Sequence, residues 1–176
     1  MPPREPLITL PNAISLSRLG LAAAFVAASD VAVRVALLAA AALTDFLDGW
    51  IARRRGATRW GALIDPIADR AFALAAVSAL LFDGALATWE YFVLISRDLF
   101  TAIGFLVARA VTWLRTVTFQ ARWLGKAVTV LQLAAFLVAL LAPEWTAPVV
   151  AAVGVASVAS VADYTMALWR ARAHAA

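Results

Sequence analysis

The chain has 176 residues, of which 64% are hydrophobic, with a mean hydropathy of +0.87 and a formal net charge of +4. That length suits a single domain spanning 1–176, but a water-soluble domain this apolar has too little polar surface to cover its core, so lipid is the expected solvent for much of it. The absence of cysteine excludes disulfides and thiolate metal sites, and the scattered positions of the basic residues speak against a nucleic-acid partner.

From the start of the chain, Met1 to Pro6 carries Arg4 and Glu5 without an apolar run ending in a cleavage site, so the first apolar helix reads as a retained span. Spans of about 20 apolar residues are expected at 12–29, 33–53, 61–82, 89–109, 125–142 and 147–169. Asp30 follows the first, Asp83-Gly84 closes the third, and Pro143 and Pro148 bracket the turn before the sixth. The expected fold is therefore an all-α integral membrane protein of six transmembrane helices.

Arg4, the 53–60 loop, the 109–126 region and the tail carry most of the basic residues. The intervening loops carry Arg34 with Asp30, Asp83, Glu90 and Glu144. The positive-inside bias then puts both termini in the cytoplasm, in a multi-pass protein of the cell membrane. Tryptophans such as Trp50, Trp60, Trp89, Trp123, Trp145 and Trp169 fall near span ends, where an indole rests at headgroup level. The basic loops read as topology signals and contacts to anionic membrane lipids.

Charged groups inside spans are expensive and usually mark function. Asp45 and Asp48 lie three residues apart at the cytoplasmic end of the second span, and Asp65 and Asp69 four apart at the start of the third. Each pair shares a helical face. Four such carboxylates repel one another; divalent cations are the simplest remedy, and hard oxygen donors favour Mg²⁺ or Mn²⁺. Phosphate chemistry commonly uses two such ions. Gly49, Ala52 and Gly61 leave room beside the acids for a nucleotide or a diphosphate, and Arg53 has the donor fork that pairs with phosphate. A cation transporter also carries intramembrane acids, but usually at mid-bilayer with broken helices in two repeats.

The stretch Asp45-x2-Asp48-Gly49-x2-Ala52-Arg53-x7-Gly61-x3-Asp65-x3-Asp69 resembles the signature of the CDP-alcohol phosphotransferase family. Every fixed residue matches over 45–69; the one departure is seven residues rather than eight between Arg53 and Gly61, in the turn between two helices. Leu10-Pro11-Asn12 with Ser15 and Arg18, Ser96-Arg97-Asp98, and Gly125-Lys126 with Thr129 and Gln132 are similar to other parts of lipid-making members. Arg18 and Arg70 read equally as snorkelling or pairing groups, and Arg97-Asp98 as an ion pair or as an acceptor contact.

The resemblance implies that Asp45, Asp48, Asp65 and Asp69 hold two divalent ions, Mg²⁺ or Mn²⁺, and that Asp69 is the general base. It implies CDP-diacylglycerol as donor lipid, contacted by Asn12, Asp48, Gly49, Ala52, Arg53 and Gly61 on the cytoplasmic side. Arg97, Arg115, Arg122 and Lys126 are the expected acceptor contacts, and a homodimer is the expected assembly, with small residues such as Gly154, Ala156 and Ser157 at its interface. Its Leu-Pro-Asn start is similar to that of the anionic-phospholipid branch. There phosphatidylglycerol is the favoured acceptor, giving cardiolipin, and glycerol 3-phosphate the alternative, giving phosphatidylglycerol phosphate. A site for glycerol 3-phosphate calls for convergent cations, and Gly104-Phe105 stands where that branch leads one to expect a second arginine two turns after Arg97.

Overall fold

The computed structural model describes residues 10–55, 61–110 and 123–173. These residues form six α-helices and no strand: α1 (Leu10–Ala27), α2 (Val31–Arg55), α3 (Gly61–Phe82), α4 (Thr88–Ala110), α5 (Trp123–Leu141) and α6 (Thr146–Ala173). Each coincides with an expected span to within a few residues. A 3-10 turn at Pro143–Trp145 separates α5 from α6, as the two prolines foretell. Both termini fall outside the described residues.

The chain divides after Asp83 into two units. In the first, α1 packs on both α2 and α3. Phe25 of α1 meets Phe72 of α3 edge-on, with ring centroids 6.0 Å apart, among buried Ala22, Leu38, Ala76 and Leu80. One end of this unit is fastened by polar groups. Asp30 caps α2, its Oδ1 accepting the Val33 N–H at 2.9 Å. Buried Arg34 donates Nε–H to the Ala28 carbonyl at 2.8 Å, bonds the Asp83 carboxylate, and lies over the Phe25 ring at 5.3 Å. Gly84 follows with φ +73°, the left-handed conformation that glycine adopts without strain beyond a helix end.

In the second unit α6 packs on α5 and α4 around buried Leu94, Val128, Phe136, Val150 and Val153. Glu90 begins α4 as a capping box does, its Oε2 accepting the Ala87 N–H at 2.7 Å. A Cβ added to Gly154 would stand 3.2 Å from Val93 Cγ1, so this glycine lets α6 approach α4 inside the unit. Ser157 bonds the Val153 carbonyl of its own helix at 2.6 Å.

Large apolar side chains point outward along the helices, among them Phe46, Ile67, Phe82, Phe92, Val155 and Val158. Among the described residues, one stretch, Pro143–Ala162, is long and apolar enough by itself to cross a membrane; Ala13–Ala27 and Ala127–Leu141 are shorter apolar helices. The charged residues on α2, α3 and α4 interrupt their apolar runs. Those interruptions carry the polar sites described next.

Candidate active site

The acids of the signature lie on α2 and α3, which α1 joins from one side. Asp45 is ten residues before the end of α2, and Asp65 and Asp69 occupy the first turns of α3. Facing them on α1 are Ser15 and Arg18, three apart and hence on one helical face. Both are buried. The Ser15 hydroxyl donates to Asp65 Oδ1 at 2.5 Å. Arg18 Nη1 lies 3.1 Å from Asp45 Oδ1 and 3.7 Å from Asp69 Oδ1.

One guanidinium nitrogen thus draws together carboxylates from two helices. The exposures are lopsided: the Arg18 side chain is 1% exposed, while those of Asp45 and Asp69 are 59% and 61% exposed. The cation forms the floor, and the carboxylates cover it and open outward. A cation so deeply buried costs several kcal/mol unless it is paired, and this pairing decides between the two roles open to Arg18: it pairs and does not snorkel.

Asn12, Asp48, Ala52, Arg53 and Gly61 belong to these same helices, but their side chains lie outside those described. Gly49 is half-buried, on the turn after Asp45. Among the described side chains, to which that of Asp48 does not belong, no three acidic, histidine or cysteine groups converge as a metal cluster. The donor set does fit a hard divalent cation. It offers carboxylate oxygens only, two of them drawn to a single nitrogen, with their outer sides open.

A second polar cluster lies in the other unit. Arg97 donates to Asp98 Oδ1 at 2.9 Å, to Thr129 Oγ1 at 2.7 Å, and to the Gln132 side-chain carbonyl. Gln132 Nε2 donates back to Asp98 Oδ2 at 2.8 Å. The result is a closed ring between α4 and α5, so the ion pair expected for Arg97-Asp98 is present and larger than its two members. Arg115 and Arg122 lie outside the described residues, and Lys126 is in α5 with its side chain outside them.

Ser15 and Arg18 join the acids in the structure, although their resemblance to lipid-making members assigns them no part in the site. The available signal was the spacing of Asn12, Ser15 and Arg18, polar residues at intervals of three in a mostly apolar helix.

The family model for CDP-alcohol phosphatidyltransferases matches residues 8–168. The chain belongs to the CDP-alcohol phosphatidyltransferase family. As a member, it is similar to a probable CMP-forming cardiolipin synthase of Drosophila melanogaster, 34% identical over 59% of this chain and 34% of the relative. It is also similar to a CDP-diacylglycerol–glycerol-3-phosphate 3-phosphatidyltransferase of Aquifex aeolicus, 35% identical over 60% of this chain and 64% of the relative. A probable phosphatidylglycerophosphate synthase of Mycobacterium tuberculosis is 34% identical over 73% of this chain and 64% of its own length. The matches thus span from a third to just under two thirds of these relatives. No solved structure matches the chain.

Proposed function

We propose that this phosphatidyltransferase-family chain moves a phosphatidyl group from CDP-diacylglycerol to an alcohol and releases CMP. The observation that carries the proposal is the outward-facing carboxylate pair Asp45 and Asp69, held on one buried guanidinium within the family signature. Two divalent ions, Mg²⁺ or Mn²⁺, bound by Asp45, Asp48, Asp65 and Asp69 would supply charge neutralisation for the diphosphate.

The residues of the chain do the rest. Gly49, Ala52 and Gly61 leave space for the cytidine side, with Asn12, Asp48 and Arg53 as further contacts to the donor lipid. Asp69, open to its surroundings, takes the proton from the acceptor hydroxyl. The freed oxygen attacks the phosphorus that bears the diacylglycerol, a new P–O bond forms, and the bond to CMP breaks. Reactants held in line lower the entropic part of the barrier.

The favoured acceptor is phosphatidylglycerol, and the reaction then yields cardiolipin. Arg97 supports this choice. It sits in a ring with Asp98, Gln132 and Thr129, and an acceptor with its own acyl chains needs few additional cations. Thr129 is exposed, so the Arg97 bond to it is the one an acceptor phosphate can replace, with Arg115, Arg122 and Lys126 as further contacts. Glycerol 3-phosphate is the second candidate, favoured by the names of the Aquifex and Mycobacterium relatives. Purified protein given CDP-diacylglycerol and each acceptor in turn, followed by lipid mass analysis, should produce cardiolipin from phosphatidylglycerol. Phosphatidylglycerol phosphate as the sole product would reverse the choice.

We further propose six membrane crossings with both termini and the carboxylate site at the cytoplasmic face, and assembly as a homodimer. A cysteine placed at Ala57 should react with an impermeant thiol reagent only from the cytoplasmic side, and one at Ala85 only from the other. The opposite pattern would invert the charge count and move the site.

A further inference from the structure

Resting on the carboxylate-site proposal above, we infer that Arg18 is a positioning residue: a buried, fixed cation that sets how far apart Asp45 and Asp69 stand. Its guanidinium lies beneath the two carboxylates, 3.1 Å from one and 3.7 Å from the other, and is 1% exposed. A side chain so placed does not reach a substrate arriving from the open side. It acts through the two acids.

The need for such a residue follows from charge. Asp45 is carried by α2 and Asp69 by α3, and two carboxylates facing the same space repel one another. Left alone, their side chains would turn apart whenever no cation lay between them. Arginine is suited to the task because it stays charged when buried and presents several donors from one rigid plane. Ser15 performs a smaller, uncharged version of the same service for Asp65 at 2.5 Å. The face of α1 therefore aims three of the four signature acids. Arg18 also leaves one positive charge beneath a site that must receive a diphosphate.

The test compares wild type with Arg18→Met and Arg18→Lys in detergent or lipid nanodiscs. It reads Mn²⁺ binding by electron paramagnetic resonance, melting temperature, and the kinetics of CMP release. In R18M, kcat is expected to fall about 100-fold, the usual effect of a reacting group misplaced by an ångström, while KM for CDP-diacylglycerol stays near the wild-type value. Mn²⁺ should bind no more weakly than to wild type, since a cation has been taken from beside its ligands. R18K should regain at least about tenfold of the lost turnover, because the charge is restored.

Wild-type kcat in R18M would overturn the proposal. So would loss of Mn²⁺ binding in R18M together with a melting temperature well below that of wild type, which would make Arg18 a support for the fold alone. If R18M does not accumulate as folded protein, Arg18→Gln replaces it with the same two outcomes. Absence of Mn²⁺ binding in wild type is a separate result, and it would overturn the carboxylate site itself.

Discussion

Asp69→Asn is expected to abolish CMP release, with a fall in kcat of about 10²–10⁴-fold, the range a positioned proton acceptor supplies. The amide matches the carboxylate in shape but has neither its charge nor its basicity, so the acceptor hydroxyl keeps its proton. The fold should survive. Asp69 is more than half exposed and its Oδ1 stands 3.7 Å from Arg18, whereas Asp45 is closer at 3.1 Å and still pairs with the buried cation. Removing this longer, outward-facing contact leaves the guanidinium paired with Asp45, so no buried charge is stranded. The variant should therefore melt close to wild type and keep part of its nucleotide binding. Substantial turnover by D69N would remove Asp69 from the role of base.

Chelation should act as strongly. With EDTA, CMP release is expected to fall at least about 10²-fold, since one lost stabilising donor at a developing anion already costs that much. Mg²⁺ or Mn²⁺ should restore it. The reasoning is electrostatic. Asp45 and Asp69 converge on a single guanidinium nitrogen, with Asp65 and Asp48 on the same helices, and one cation does not balance four anions that must also meet a diphosphate. Full activity in chelator would defeat the two-metal proposal.

Much of the fold was legible because helices announce themselves over short stretches of chain. Apolar runs of span length, closed by Asp30, Asp83-Gly84 and Pro143, anticipate the helices to within a few residues. The acids were legible for the same reason, as spacings of three and four are helical neighbours. Arg18 was not. Its partner Asp45 lies 27 residues downstream, and Ser15 meets Asp65 at a separation of 50, so no local pattern chooses between pairing and snorkelling. The Arg97 ring was half legible: Asp98 is adjacent, but Gln132 comes from another helix 35 residues away. Arg34 and Glu90, which the sequence marks only for sidedness, and Asp30 and Asp83, which it marks as span ends too, turn out to be caps and an ion pair. A charge tally is blind to such local uses.

The dependence of Arg18 on later residues has a bearing on how the chain is made. Under the six crossings proposed above, α1 emerges from the ribosome with an arginine midway along it, a residue that costs about 2.5–3.5 kcal/mol at the centre of a bilayer. Its carboxylate partners are not yet synthesised. Release of α1 alone into lipid is thus discouraged, and a delay until α2 and α3 follow relieves the penalty. The helices bearing the acids gain in turn, since Asp45 and Asp69 enter beside a waiting counter-ion. Insertion of the first three helices should accordingly proceed as a cohort, with the Arg18–carboxylate cluster acting as the latch that lets them leave the translocon together.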